Sequence, residues 1–267
     1  MRSIRERSNV SHGPVMIDTI VDRPAGDAKW PALVLLPSLG RDSEDFDTVA
    51  APLAAEGFLV LRPQPRGILG SKGPLEGITQ HDFARDVAEV IRRLGGGRAV
   101  VGGHAYGNWV ARQTATDFPE LVAGVVLIAA AAQGAPRHLG QVVSDAGDPT
   151  LPVARRLAAL REGFFAPGHD PSVWLEGWHP AVKAVQRAAA QAVPRETWWG
   201  AGRAPILELH AEHDPFMPAA MRGEMRAAYG DRVTTRLIAG ASHALIPEQP
   251  DAVVREIAAW VRGLATG

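Results

Sequence analysis

The stretch that most restricts how this chain can fold is residues 98–118. An apolar run over 98–102 leads into Gly103-His104-Ala105-Tyr106-Gly107. Residues 108–118 follow, with Val110, Ala111, Thr114, Ala115 and Phe118 at helical spacing before Pro119. The short run suits a buried parallel strand, and the later period suits a helix. Between them the chain must turn within a few residues. Such a turn strains its central residue, Ala105, and side chains two positions to either side would collide, which explains the glycines. A strand that passes through a tight glycine turn into a helix points to an α/β architecture with a parallel sheet covered on both faces.

The rest of the chain repeats that rhythm. Residues 15–21 alternate as an antiparallel edge strand closed by Pro24 and Gly26. Residues 32–36 read as a buried strand running into Pro37-Ser38-Leu39-Gly40-Arg41, 45–56 as a helix stopped by Gly57, and 58–62 as a further strand. An amphipathic helix is predicted over 81–94, with Phe83, Val87, Val90, Ile91 and Leu94 inward. Strands follow at 122–130, 205–211 and 232–238, and helices at 219–229 and 247–264. Residues 131–203 carry no strand pattern. They are rich in Ala, Pro and Trp, and 151–165 and 172–191 have helical spacing. A long insertion on the side where active-site loops emerge predicts a helical lid. Residues 1–130 and 204–267 are therefore expected to form the core and 131–203 the lid. The lid tryptophans Trp174, Trp178, Trp198 and Trp199 either pack the lid onto the body or, in one or two cases, line an apolar pocket.

At 267 residues the chain can bury the core of one large α/β domain. A net charge of −1 gives no electrostatic case for a nucleic acid or an anionic membrane as partner. The absence of cysteine excludes disulfides, thiolate zinc sites and a cysteine nucleophile, and fits a cytoplasmic setting. Residues 1–9 are polar, so no signal peptide is expected, and the longest apolar run, near 122–132, is too short to span a bilayer. No phosphate-binding glycine loop and no metal-ligand spacing is found, so the expectation is no cofactor, no metal and a small-molecule substrate. A homodimer stays open.

The glycine turn has the form G-x-S-x-G with alanine in the serine's place. With the alternating strands and helices, it resembles the nucleophile elbow of the α/β-hydrolase fold, and the resemblance runs from about Ala32 to the C-terminus with the lid outside it. Three further motifs carry it. Leu36-Pro37-Ser38-Leu39-Gly40 stands where the family has its oxyanion loop, which implies Leu39 (or Ser38) and Tyr106 as backbone N–H donors. The run from Pro205 to Pro215, ending His213-Asp214-Pro215, is similar to the family's acid strand and implies Asp214 as the triad acid. Ala239-Gly240-Ala241-Ser242-His243 is similar to its terminal histidine loop and implies His243 as the base. The order of elbow, acid and histidine matches the family. His104 corresponds to a structural histidine beside the elbow.

Ala105 cannot attack a carbonyl, so an acyl-enzyme at the elbow is excluded. Three accounts stay open: a serine replaced by Ala105 to trap substrate, a branch doing chemistry without serine, or a retired enzyme that only binds. Asn108, where glycine is common, and Pro37-Ser38 in place of His-Gly are coordinated departures that favour the second. Under it, His243 polarised by Asp214 acts directly as general base on a small apolar ester, lactone or carbonyl compound. Ser38, Arg41, Arg66, Trp174 and Trp178 are candidates for contact with substrate. The plainer readings are a backbone-bonded Ser38, and Arg41 and Arg66 paired with Asp42, Glu44 or Glu76.

Overall fold

The computed structural model describes residues 3–266. Met1 and Arg2 of the polar N-terminal stretch, and Gly267 of the expected core, lie outside the described residues. The strands are β1 (Ser3–His12), β2 (Val15–Pro24), β3 (Ala32–Leu36), β4 (Val60–Pro63), β5 (Ala99–His104), β6 (Val122–Ile128), β7 (Ile206–Ala211) and β8 (Val233–Ile238). They form one eight-stranded sheet in the order β1-β2-β4-β3-β5-β6-β7-β8. From β4 onward every pairing is parallel, whereas β1–β2 and β2–β4 are antiparallel.

Residues 15–21 do run antiparallel, but β2 is not the edge. β1 lies outside it, joined through the loop Gly13-Pro14, where Gly13 takes φ +52°. Only Val10 of β1 is buried, so β1 has no core-facing alternation to mark it in the sequence. Pairing with β2 and the ion pairs Arg5–Asp22, Arg7–Asp18 and Arg23–Glu6 hold it instead. Charge along an edge strand also discourages pairing with another chain.

The helices are α1 (Asp47–Ala55), α2 (Gln80–Leu94), α3 (Tyr106–Asp117), α4 (Leu139–Ala146), α5 (Val153–Gly163), α6 (Pro180–Gln191), α7 (Glu224–Tyr229), α8 (Leu245–Glu248) and α9 (Pro250–Thr266). Two of the helices expected in the core, outside residues 131–203, are broken. A 3-10 turn at Ala219–Met221 precedes α7, and α8 stops before Pro250, which opens α9 at the position where a missing N–H costs nothing. The sheet is covered on both faces. Val34 and Leu36 of β3 and Val101 of β5 join the core under α2 and α3, with Phe83, Val87, Ile91 and Ala111. Leu33, Leu35 and Val100 point the other way, to Val49 and Leu53 of α1 and Val253, Ile257 and Val261 of α9. Burial on both faces is why the central strands read as continuous apolar runs. Each buried Val, Leu or Ile contributes about 1.5–3 kcal/mol.

Between β6 and β7, residues 131–203 contain α4, α5 and α6 and no strand among the described residues. Leu139, Val142, Leu160, Phe164 and Trp174 form a third core against Phe216 and Ala244, which follow β7 and β8. This segment therefore packs on the end of the sheet from which the loops after β3, β5, β7 and β8 emerge. Among the described residues, no helix is long and apolar enough to cross a membrane.

Candidate functional site

The elbow starts where β5 ends. Ala105 donates its N–H to the Ile128 carbonyl at 3.0 Å, extending the pairing with β6, and takes φ 47°, ψ −112°. Holding a non-glycine residue there costs about 1–3 kcal/mol. The flanking glycines are required by close approach. A Cβ on Gly103 would lie 2.1 Å from the Gly107 carbonyl carbon, and one on Gly107 would lie 2.2 Å from the Leu36 oxygen. The elbow thus rests directly on the end of β3, which brings the 37–40 loop beside Ala105.

Asn108 has a definite task. Fully buried, it donates its side-chain amide to the Ala105 carbonyl and accepts from Arg112 Nε at 2.9 Å. Arg112 is itself buried, donates to the Trp199 carbonyl at 2.6 Å and stacks 4.0 Å over the Trp199 ring. Burial lowers its pKa to about 10, with Glu208 opposing that shift. Behind α3, Glu208 and His210 are buried 3.6 Å apart, and their side-chain polar atoms have no hydrogen-bond partner among the described residues.

Asp214 follows β7 and His243 follows β8. His243 Nδ1 lies 3.0 Å and 3.2 Å from the two carboxylate oxygens of Asp214. That contact assigns the proton to Nδ1 and leaves Nε2 without a protein partner among the described residues. Asp214 also accepts from the Phe216 N–H at 2.8 Å, and the Phe216 ring packs 4.3 Å from the imidazole. The loop is clamped from several sides. Glu248 accepts from the Ser242 and Ala166 N–H groups at 2.7 Å and 2.6 Å, and Ser242 donates its hydroxyl to the His213 carbonyl. His104 Nε2 donates to the His243 carbonyl at 2.7 Å. Burial, and then the charge of His243, push the His104 pKa down to about 3, so this imidazole stays neutral.

Ala105, His243, Ser38, Leu39 and Tyr106 line one cavity with about 770 Å³ of empty space, part of it open to solvent. This size suits a small organic ligand. The Tyr106 N–H is the first of α3 and has no side-chain cap, and the Leu39 N–H has no acceptor among the described residues. Two uncommitted donors and a free imidazole nitrogen thus share a hollow with the Ala105 methyl. Trp178, Phe164 and Phe216 supply apolar wall.

Three substrate-contact candidates fall elsewhere. Arg41 is buried against Asp45, donates to the Glu176 carbonyl and stacks 4.8 Å from both Trp174 and Trp178. It fastens residues 174–178 to the 37–41 loop rather than facing the cavity, and Trp174 is packed in the third core. Arg66 is buried, with two guanidinium contacts on Asp86 and a third on the Pro74 carbonyl, beside a separate, smaller cavity behind the 37–40 loop. Their carboxylate partners are Asp45 and Asp86, not Asp42, Glu44 or Glu76. Trp198 and Trp199 pack over α3. The lining residues absent from the sequence reading are Trp109, Ala131, Val143, Phe164, Arg187 and Phe216. Phe216 had a usable signal, since it stands two residues beyond Asp214 at the same strand end. Among the described residues no group of three or more His, Asp or Glu side chains is placed to hold a metal ion.

The family model described as "Alpha/beta hydrolase family" matches residues 33–256. Carboxylesterase CesB (YbfK) from Bacillus subtilis superposes with a TM-score of 0.78 at 19% identity, covering 97% of this chain and 92% of that one. A thermophilic esterase from Thermogutta terrifontis superposes with a TM-score of 0.75 at 21% identity, covering 98% and 99%. A soluble epoxide hydrolase from Corynebacterium sp. (strain C12) is 38% identical over 71 residues, 27% of this chain and 25% of that relative's length.

Proposed function

Because the chain belongs to the alpha/beta hydrolase family, we propose that it hydrolyses a small, largely apolar ester, lactone or related carbonyl compound without a serine nucleophile. One observation carries the reading: the Asp214–His243 pair is kept in hydrogen-bonding geometry although residue 105 has only a methyl group. An idle pair needs no such clamping.

In this reading, water occupies the space above Ala105 that a hydroxyl would fill. His243 Nε2 removes a proton from that water as its oxygen bonds to the carbonyl carbon. The carbonyl π pair moves to oxygen, where the N–H groups of Leu39 and Tyr106 stabilise the charge. Collapse of the tetrahedral intermediate breaks the bond to the leaving oxygen, which takes the proton back from the imidazolium. Asp214 holds the tautomer and stabilises the imidazolium without taking the proton. Residues 131–203 serve as a lid, contributing Phe164 and Trp178 to the wall and limiting the access of bulk water.

The methyl at 105 favours one alternative, a retired enzyme that only binds. The test measures hydrolysis of p-nitrophenyl butyrate and δ-valerolactone by the unaltered chain and by Ala105→Ser, with intact-mass detection of acyl adducts. Turnover by the unaltered chain without an adduct is expected. Turnover only in Ala105→Ser, with an adduct, would instead identify a disabled serine triad. Inactivity of both, with thermal stabilisation by ligand, would identify a binder.

A further inference from the structure

The cavity beside Ala105 is apolar except for a few groups, and no carboxylate of the described residues lines it. Among the described residues, its one permanently charged lining side chain is Arg187 of α6. The buried arginines are all committed: Arg41 to Asp45, Arg62 to Asp22, Arg66 to Asp86, Arg112 to Asn108 and Arg156 to the Ala146 and Leu175 carbonyls. Arg187 has no ion pair, hydrogen bond or ring contact among the described residues. One turn earlier on the same helix, burial and then the charge of Arg187 hold Lys183 below its ordinary pKa, with only Asp148 opposing. The cavity wall at Arg187 is therefore positive, with no carboxylate against it among the described residues.

The position of α6 is fixed relative to the reaction centre. Gln186, next to Arg187, accepts the Gly40 N–H at 2.7 Å, and the Gly40 carbonyl accepts the His179 N–H at 2.8 Å, one residue before α6 begins. Gly40 directly follows the oxyanion residue Leu39, and its φ of +66° and its approach to Lys183 leave no room for a Cβ. The helix that carries the free guanidinium is thus tied to the loop that holds the developing oxyanion.

From the uncommitted cation, the apolar wall and this tie, we infer that the cavity takes an amphipathic monoanion. Arg187 receives a terminal carboxylate in its two-pronged fork, and the apolar body lies along Phe164 and Trp178, toward His243. The planar guanidinium fits a carboxylate better than a lysine ammonium does. This inference rests on the reading of that cavity as the substrate site, but not on the mechanism of turnover.

The test is calorimetric titration of 4-phenylbutanoate and of the neutral 4-phenylbutanamide into the unaltered chain, Arg187→Gln, Arg187→Lys and His243→Ala at low ionic strength. A charge-assisted hydrogen-bonded contact predicts roughly tenfold tighter binding of the acid than of the amide. That preference should shrink in 0.5 M salt, disappear in Arg187→Gln, be only partly kept in Arg187→Lys and persist in His243→Ala. The amide should bind the unaltered chain and Arg187→Gln alike, which shows that the exposed substitution leaves the cavity intact. Equal binding of acid and amide, no binding of either, or an acid preference that survives Arg187→Gln would overturn the inference. Hydrolysis that depends on His243 without any acid preference would refute only this step, whereas an acid preference without such hydrolysis would refute only the mechanism.

Discussion

Replacing Asn108 by Ala tests how the elbow is held. The substitution removes the acceptor of Arg112 Nε and one of two donors to the Ala105 carbonyl. That carbonyl keeps the Asn108 backbone N–H at 3.1 Å, so it is not orphaned. The main loss is the hydrogen bond to a fully buried guanidinium, about 1.5–3 kcal/mol. The void left by the missing amide, roughly 30 Å³ at ~24 cal/mol per Å³, adds about 0.7 kcal/mol. The expected destabilisation is therefore about 2–4 kcal/mol, which for a chain of this size lowers Tm by roughly 6–12 °C. Urea unfolding followed by tryptophan fluorescence gives the free energy. A double-mutant cycle with Arg112→Met should return a coupling above about 1 kcal/mol. Turnover should fall with stability, because Ala105 and the Tyr106 N–H lose their anchor. A loss below about 0.5 kcal/mol, or additive single substitutions, would refute the idea that this chain of contacts braces the elbow.

Three other outcomes follow from the same contacts. His104 is neutral when folded, its pKa falling from the ordinary 6.5 to about 3, so the unfolded chain binds a proton that the folded chain does not between those values. Its contribution is complete above pH 6.5 and is lost as pH falls toward 3, at a limiting slope of about 1.4 kcal/mol per unit; His104→Asn should flatten the acid limb of urea stability by one proton, and an unchanged slope would count against it. Asp45→Ala strands Arg41, whose side chain is 3% exposed, and should cost about 3–5 kcal/mol in chemical denaturation, whereas a loss near zero would mean the pair is already open to water. Gly107→Ala drives a Cβ against the Leu36 and Pro37 carbonyls and should cost more than about 3 kcal/mol or prevent folding, whereas Gly140→Ala in α4, with open space around it, should be neutral to slightly stabilising; similar effects from both would contradict the steric account of the elbow.

The parts of the fold that were legible in the sequence share a physical cause. β3, β5, β6 and β7 are largely buried on both faces, so their residues are apolar apart from His104, Glu208 and His210, and the glycines around Ala105 are forced by backbone contacts. Asp214 and His243 were recognisable because each follows a strand end in a fixed order. β1 was not legible, since its stability comes from register and ion pairs and only Val10 is buried. Arg41 and Arg66 are ion-paired, as the plainer reading expects, but with Asp45 and Asp86 rather than Asp42, Glu44 or Glu76. Asp45 stands at i+4 from Arg41 and could have been paired with it by spacing, whereas Asp86 reaches Arg66 only through the packing of α2 against the loop after β4. Arg187 had no sequence signal, because what distinguishes it is an unpartnered guanidinium on the wall of the cavity beside Ala105, and that depends on every neighbouring element.

The central claim is that an imidazole held by a carboxylate activates water over a bare methyl, and the most direct test is the steady-state rate of ester hydrolysis by His243→Ala beside the unaltered chain, with and without added imidazole. The account predicts a fall in kcat of about 10²–10⁴-fold, partly restored by imidazole, with the folded structure intact by circular dichroism. A kcat unchanged by the loss of His243 would contradict it.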